Sequence, residues 1–194
     1  MTVILEAAVE REYRLLDLLY DGAPPLREHP LDAPLRLAAN TMPEPDLREA
    51  ERHEVTFGGG MIGGMMNSGG MMGETMGGMM RGMQHSGIWS INGVAATGHV
   101  MEPFLTLGRD RSYVLAMHND TAWHHPMHLH GHSFRVTSRN GAPTSHREWQ
   151  DTVLMAPQES IDIAFVADNP GDWMFHCHIL EHQAAGMMGV IRVA

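Results

Sequence analysis

The stretch HCHILEHQAAGM, residues 176–187, carries a cysteine, a histidine five residues later and a methionine ten residues after the cysteine. A thiolate from Cys177, an imidazole from His182 and a thioether from Met187 match the ligand types of a blue-copper electron-transfer centre. Such a centre needs a second imidazole. The upstream stretch WHHPMHLHGH, residues 123–132, contains a histidine that precedes a proline and is followed by a His-x-His pair.

The alternation of side chains along an extended backbone makes these spacings informative. If the backbone around the cysteine is extended, His176 and His178 share one face of a strand and Cys177 points to the other face. The same alternation puts His128 and His130 on one face. Four imidazoles can then converge on a second, nitrogen-only copper cluster, and the cysteine becomes the covalent bridge between two metal sites.

The motifs HPMHLHGH and HCHILEHQAAGM resemble those of the C-terminal cupredoxin domain of multicopper oxidases, particularly bacterial copper-tolerance members. This resemblance implies an all-β, cupredoxin-like Greek-key sandwich or barrel. Carried over position by position, it implies four type 1 copper ligands, of which the methionine is the weak axial one: His125, Cys177, His182 and Met187. It also implies four ligands of a trinuclear cluster. These are His128 for type 2 copper, and His130, His176 and His178 for type 3 copper.

The resemblance also implies an activity. One-electron oxidation of a donor at the type 1 copper is coupled to four-electron reduction of O₂ to water, and Cys177, His176 and His178 relay the electrons. In the family, two His-x-His pairs of an N-terminal domain supply four more histidines to the cluster. The chain has no further pairs outside the two motifs. We therefore expect it to supply half of the cluster and to need a missing N-terminal domain or a partner chain.

Residues 57–87 are rich in glycine and hold nine of the eighteen methionines. Glycine loses more backbone entropy on ordering than other residues, so a flexible insert is expected. Soft thioethers suit Cu(I), which favours Cu(I) over a small phenol as the donor. The alternative is a disordered linker whose methionines pack on a neighbouring surface. The candidate Cu(I) ligands are Met61, Met65, Met66, Met71, Met72, Met76, Met79, Met80 and Met83.

The chain is expected to contain four segments. Residues 1–22 carry apolar runs that fit a helix or two strands, and the resemblance favours the closing strands of a preceding cupredoxin domain. Residues 23–56 are proline-rich and predict an extended linker without a core, with one or two helical turns at 46–55. The methionine-rich segment, 57–87, and the cupredoxin domain with the copper ligands, 88–194, follow.

Short alternating runs bounded by Asn, Asp, Gly or Pro predict the strands of the last segment. Residues 139–142 predict a tight hairpin or a loop. Residues 180–185 predict a short helix that returns His182 toward Cys177. The predicted strands are 88–93, 112–117, 133–137, 161–166, 173–179 and 188–193.

The charge balance narrows the choice of partners. Twenty-three carboxylates outnumber thirteen arginines among the 194 residues, and the formal net charge is -10. This charge disfavours nucleic acid and anionic membranes as partners. The sequence contains no run of about 18 apolar residues, so it predicts no membrane span. The first residues lack the basic region of a secretory signal, so a periplasmic or secreted location is implied by the resemblance alone.

Two other classes of function remain open. A mononuclear electron carrier needs none of the four paired histidines, and a copper-storage module would depend on the methionines. Deleting residues 58–87 would separate these readings, because storage predicts a total loss of copper binding and the oxidase predicts an intact blue chromophore. Asp120 and Asp151 are candidates for orienting a ligand histidine. The histidines expected not to bind copper are His85, His99, His118, His124, His132 and His146.

Overall fold

The structure, a computed structural model, describes residues 2–7, 11–17, 22, 24, 29, 32–60, 89–96, 98 and 102–194. The nine methionines proposed as Cu(I) ligands lie outside these described residues. The chain divides into two units, Met1–Thr41 and Met42–Ala194. Within the described residues, no helix is long and apolar enough to cross a membrane.

The first unit contains an antiparallel hairpin of β1 (Thr2–Ala7) and β2 (Arg11–Asp17). The register pairs Thr2 with Asp17 and Ala7 with Arg11, and it shifts between Val3 and Ile4. The sequence left a helix and two strands open here, and the structure has two strands. Their assignment to a preceding cupredoxin domain stays a prediction.

The described part of the second unit consists of short strands, which form two sheets, and one short helix. The elements are β3 (Glu51–Gly59), β4 (Trp89–Ile91), β5 (Leu105–Leu107), β6 (Ser112–Asn119), β7 (His125–Leu129), β8 (Phe134–Arg139), β9 (Ala142–Pro143), β10 (Trp149–Gln150), β11 (Thr152–Met155), β12 (Ser160–Val166), β13 (Gly171–Cys177), α1 (Leu180–Ala184) and β14 (Met188–Val193). Every strand predicted between residues 88 and 194 has a counterpart here. The strands β3, β5, β10 and β11 were not predicted.

The two sheets have different strand orders. One runs β10-β8-β12-β6-β3-β4, with β9 beside β8, and the other runs β11-β7-β13-β14-β5. Neighbours are antiparallel except for the pairs β3–β6 and β14–β5, which are parallel. The central strand of the second sheet, β13, therefore lies between β7 and β14, and all three approach the candidate site.

The core is formed by the alternating apolar residues of both sheets. In β14 every second residue is buried, which is the pattern of a strand with one face on the core. Phe57 of β3 and Phe175 of β13 are fully buried, with ring centroids 5.9 Å apart, and so connect the two sheets. Burial of large side chains such as these contributes about 1.5–3 kcal/mol each.

The expectation of helical turns at 46–55, inside a linker without a core up to residue 56, is wrong. Residues 32–50 form no helix or strand, as a proline-rich linker would, but β3 begins at Glu51. Val55 and Phe57 are buried in the core, and β3 pairs in parallel with β6 and antiparallel with β4. The partner β6 lies about sixty residues further along the chain. Local pattern does not report such a distant pairing.

The sequence left a tight hairpin and a loop open at residues 139–142, and the structure has the hairpin. Strands β8 and β9 are antiparallel, and their register pairs Ser138 with Pro143 and Arg139 with Ala142. The two central residues, Asn140 and Gly141, have φ angles of 49° and 76°. A two-residue turn of this kind requires positive φ at both positions, which Asn-Gly adopts at low cost.

Candidate metal centre

The candidate site is organised by the pairing of β7 with β13. The register places His176 opposite His128 and Cys177 opposite Met127. Because side chains alternate along each strand, the two histidines point to one side of the sheet and the cysteine points to the other. The predicted separation of the thiol from the two rings is therefore present, and their assignment to two metal sites stays a prediction.

We call the predicted donor set of His125, Cys177, His182 and Met187 the thiolate pocket. All four are buried. Cys177 Sγ lies 3.7 Å from His125 Nδ1 and 3.8 Å from His182 Nδ1. The two Nδ1 atoms are 3.1 Å apart. One thiol and two imidazoles therefore converge on a common point, where they could hold a metal ion.

A short helix and a tight turn bring the last two members of the pocket back to the cysteine. Helix α1 spans Leu180–Ala184, close to the prediction of 180–185. The backbone N–H of Met187 donates to the carbonyl of His182 at 2.9 Å, and the N–H of Cys177 donates to the carbonyl of Met187 at 3.2 Å. Gly186 has a φ of 120°, which permits this turn because glycine has no Cβ.

Burial keeps the donors of the pocket uncharged in the absence of metal. Burial raises the pKa of the Cys177 thiol. The pKa of His125 is lowered from 6.5 to about 4, first by burial and then by the nearby His182 and His124. Burial also lowers the pKa of His182. Two neutral imidazoles, a thiol and a thioether fit copper in chemistry, and loading must release the thiol proton.

Two tryptophans cover His182. Trp89 is buried, and its ring centroid lies 4.1 Å from that of His182. Trp123 is 50% exposed and meets both Trp89 and His182 edge-on, at centroid distances of 6.3 and 6.2 Å. Sequence reasoning did not assign a role to either indole. The amino-acid pattern offers little indication of this role, because the two tryptophans are recognised only by their short distance from His182 in the folded structure.

The four remaining histidines form the imidazole cluster, which consists of His128, His130, His176 and His178. Their ring centroids are 4.6 Å apart for His128 and His130, and 4.7 Å apart for His128 and His178. His130 Nε2 and His176 Nε2 lie 3.0 Å apart. The predicted convergence of four imidazoles is therefore present. The cluster is also more open than the thiolate pocket, because His178 is exposed.

Hydrogen bonds to the backbone orient two rings of the cluster. His128 Nδ1 lies 2.9 Å from the carbonyl oxygen of Asp151 and 2.9 Å from Thr152 Oγ1. His176 Nδ1 lies 3.0 Å from the carbonyl oxygen of Cys177. Burial lowers the pKa of His130 and of His176, which favours their neutral, metal-binding forms. Asp151 thus contacts a cluster histidine, as the sequence suggested, mainly through its backbone.

A cavity of about 580 Å³ lies beside the imidazole cluster. His128 and Asp151 form part of its wall, together with His132 and Trp149. His132 is buried and packs edge-on against Trp173, at a centroid distance of 5.9 Å. It therefore has the packing role expected of a non-ligand.

The other candidates do not belong to the two donor sets as we define them. His118 Nδ1 contacts Ser160 Oγ at 2.9 Å, and His146 and Asp120 are exposed. His124 precedes β7 and is half-buried. His85 and His99 lie outside the described residues.

Comparison with known proteins places these motifs in a family. The family model described as "Multicopper oxidase" matches residues 71–194. The chain is 39% identical over 106 residues to "Multicopper oxidase MmcO" of Mycobacterium tuberculosis, covering 51% of this chain and 18% of that protein. It is 45% identical over 71 residues to "Multicopper oxidase mco" of Staphylococcus epidermidis, covering 36% of this chain and 16% of that protein. The chain thus spans less than a fifth of these relatives.

Solved structures give a longer match. The multi-copper oxidase of Pseudomonas thermotolerans matches with a TM-score of 0.65 at 30% identity, covering 84% of this chain and 34% of that chain. The predicted all-β, cupredoxin-like fold is confirmed by this likeness and by the two packed sheets.

Proposed function

The chain belongs to the multicopper oxidase family, and on that premise we propose that it is the C-terminal part of an oxidase. The oxidase couples one-electron oxidation of a donor at the thiolate pocket to four-electron reduction of O₂ to water at the imidazole cluster. Copper is the cofactor. The observation that carries this proposal is the position of Cys177 between His176 and His178, with its thiol in one donor set and their rings in the other.

The thiolate pocket holds the type 1 copper. His125 and His182 would hold it through their Nδ1 atoms, Cys177 through its thiolate and Met187 through its thioether, a donor set typical of blue-copper sites. Bound copper supplies reversible one-electron transfer in this pocket and O₂ reduction at the cluster. The burial of all four side chains excludes water from the pocket.

The imidazole cluster supplies one half of the trinuclear site. His128 is the type 2 ligand, and His130, His176 and His178 are type 3 ligands. His130 Nε2 and His176 Nε2 lie 3.0 Å apart, so the two rings could hold one ion together. The remaining four histidines come from two His-x-His pairs of an N-terminal domain or a partner chain. The cavity beside His128 leaves space for them to approach.

The backbone around the cysteine connects the two sites. Peptide bonds join Cys177 directly to His176 and His178, so each ring is only a few covalent bonds from the thiolate sulfur. His176 Nδ1 also donates a hydrogen bond to the Cys177 carbonyl oxygen at 3.0 Å. This bond gives a second, shorter connection between a cluster ring and the cysteine, which supports an electron relay through these three residues.

Cu(I) is the favoured donor, and a small phenol is the other candidate. Strand β3 ends at Gly59, and a Cβ built on Gly60 would lie 2.9 Å from the Trp89 ring and 3.3 Å from Trp123 Nε1. Gly60, the last described residue before the nine methionines, therefore lies beside the two indoles that cover His182. The thioethers that follow it in sequence suit the capture of Cu(I), which supports Cu(I) as the donor. A role in copper resistance, in the periplasm or outside the cell, agrees with such a donor.

Oxygen uptake tests the proposed function. The copper-loaded chain is assayed with Cu(I) or a phenol, alone and with a protein that carries two His-x-His pairs on a cupredoxin domain. We expect four-electron O₂ reduction only in the mixture, and a loss of that activity in the His128→Ala variant. The control is His118→Ala, since His118 belongs to neither donor set. Full activity of the chain alone would contradict the half-cluster proposal.

A copper-binding or electron-transfer module without oxidase activity is the alternative, and the complete thiolate pocket favours it over other classes. A loop replacement separates it from the oxidase. Gly59 pairs with Trp89 across β3 and β4, so residues 61–88 can be replaced by a short Gly-rich turn without cutting either strand. The oxidase proposal predicts an intact blue chromophore and weaker Cu(I) oxidation. Total loss of copper binding would favour a methionine-dependent storage module.

A further inference from the structure

A buried chain of hydrogen bonds backs the ring of His125. Its members Asn119 and Thr121 are both 0% exposed, and so is His125. Thr121 Oγ1 lies 2.8 Å from His125 Nε2, on the side of the ring that faces away from the thiol. Neither Asn119 nor Thr121 was among the site residues predicted from the sequence.

The amide of Asn119 has a single satisfactory orientation. Its Nδ2 lies 2.7 Å from the carbonyl oxygen of Trp123 and 2.7 Å from that of Ala156. Carbonyl oxygens only accept hydrogen bonds, so both amide hydrogens are used by these two partners. Asn119 Oδ1 consequently faces Thr121 and acts as an acceptor.

The hydroxyl of Thr121 then has one remaining role. A threonine hydroxyl has one hydrogen to donate and two lone pairs to accept with. Two oxygens can accept that hydrogen, and Asn119 Oδ1 at 2.8 Å is nearer than the Trp123 carbonyl oxygen at 3.3 Å, so the hydrogen goes to Asn119. One lone pair accepts the backbone N–H of Trp123 at 3.1 Å. The second lone pair is left for His125 Nε2, and this contact is satisfied only if that nitrogen carries the hydrogen.

We infer that Asn119 and Thr121 are positioning residues that hold His125 as the Nε2–H tautomer and turn the lone pair of Nδ1 into the thiolate pocket. Nδ1 is the atom that lies 3.7 Å from Cys177 Sγ and 3.1 Å from His182 Nδ1. The hydrogen-bond chain therefore prepares His125 to bind metal before any metal arrives. Its role toward copper rests on the proposed function, whereas the tautomer is a property of the metal-free chain.

In the imidazole cluster, His128 carries its hydrogen on the other ring nitrogen. His128 Nδ1 faces the carbonyl oxygen of Asp151, which can only accept, and the hydroxyl of Thr152 donates to Asp151 Oδ1 at 2.9 Å. His128 thus carries its hydrogen on Nδ1 and leaves Nε2 free. The nitrogen available to a metal is set by what stands behind each ring, as is general for metal-binding histidines. Behind His125 that group is a side chain, which can be removed by mutation.

NMR of the imidazole nitrogens in the metal-free chain tests the tautomer directly. We expect His125 of the wild type to be the Nε2–H tautomer, Thr121→Ser to keep it and Thr121→Val to lose the preference. Thr137→Val is the matched control, because the Thr137 hydroxyl donates to the Asp162 carbonyl, outside both donor sets. An Nδ1–H tautomer in the wild type would overturn the inference, and this measurement needs no variant to fold. A wild-type tautomer in folded Thr121→Val would overturn it too.

Titration with Co(II) alone measures the consequence for metal binding, since Co(II) does not oxidise the thiol. The thiolate-to-metal absorption band reports on the pocket and not on the imidazole cluster. We expect Thr121→Val to bind Co(II) about 10–100-fold more weakly, with recovery in Thr121→Ser. Equal affinity in the wild type and Thr121→Val would contradict the positioning role. Failure of the oxidase proposal would instead show as absent oxygen uptake with the tautomer and the Co(II) band unchanged.

Discussion

The thiolate pocket and the imidazole cluster lie on opposite faces of β13, and their members are adjacent in sequence. The pocket is closed, because His125, Cys177, His182 and Met187 are all buried and all come from this chain. The cluster is open on one side, with His178 exposed and a cavity beside His128. The difference supports the proposal that the same strand completes one metal site and presents half of another.

The largest expected effect comes from removing the sulfur that joins the two regions. Cys177→Ser replaces a soft thiolate ligand by a hydroxyl, so the blue absorption band of the copper-loaded chain should disappear completely. The four imidazoles of the cluster are unchanged and should still bind Cu(II). Visible absorption and electron paramagnetic resonance check this outcome. A blue band that survives in Cys177→Ser would show that the pocket is not the chromophore.

The reciprocal change affects the cluster and spares the pocket. His130→Ala removes the ring whose Nε2 lies 3.0 Å from His176 Nε2. We expect less Cu(II) bound per chain in equilibrium dialysis and an unchanged blue band. His146→Ala, at an exposed position, is the control and should bind as much copper as the wild type. Loss of the blue band in His130→Ala would mean that the two regions are not separate sites.

Acid should destabilise the metal-free chain, because His125 of the thiolate pocket is buried in its uncharged form. The pKa of buried His125 is about 4 in the folded state against an ordinary 6.5, so the unfolded chain binds the extra proton more tightly. The contribution of His125 to the free energy of unfolding is therefore fully present above about pH 6.5 and is lost as the pH falls toward 4. The cost from this group reaches about 3 kcal/mol, because each pKa unit corresponds to about 1.4 kcal/mol.

Urea unfolding at neutral and acid pH measures this effect. The other histidines with lowered pKa, such as His176 and His182, act in the same direction. The contribution of His125 is thus the difference in acid loss between the wild type and His125→Gln. His146→Gln serves as the exposed control. An equal acid loss in wild type and His125→Gln would contradict the burial of an uncharged His125.

A smaller effect is expected from the wall of the pocket. A Cβ on Gly186 would lie 2.4 Å from the carbonyl oxygen of Trp89, and its φ of 120° disfavours other residues. Gly141 also has a positive φ, but nothing lies within 4 Å of its Cβ position. Gly186→Ala should therefore lower the free energy of unfolding by about 2 kcal/mol more than Gly141→Ala. Equal losses in thermal unfolding would remove the steric argument.

The back-to-back arrangement of the two regions could be predicted from the sequence because it depends on local geometry. His176, Cys177 and His178 are consecutive, so strand alternation alone separates the thiol from the two rings. The short helix that returns His182 was also predictable, since its ends lie within a few residues of the cysteine. The convergence of His128 with His178 needed one further assumption, that β7 pairs with β13.

Other parts depend on contacts that no local pattern reports. Strand β3 was taken for linker and helical turns because its first four residues, 51–54, are all charged or polar and because its partner β6 lies far along the chain. Trp89 approaches His182 only after β4 pairs with β3. Thr121 was overlooked beside Asp120, although a hydroxyl four residues before a ligand histidine, at a strand end, is a signal that could have been weighed.

Titration of the metal-free chain with Cu(II) under anaerobic conditions, followed by visible absorption, tests the central claim most directly. The claim is that this chain alone completes the thiolate pocket. The account predicts an intense blue band that saturates at one copper per chain, with any further copper binding colourless or pale at the cluster. A chain that stays colourless at every copper concentration, while its thiol remains reduced, would contradict it.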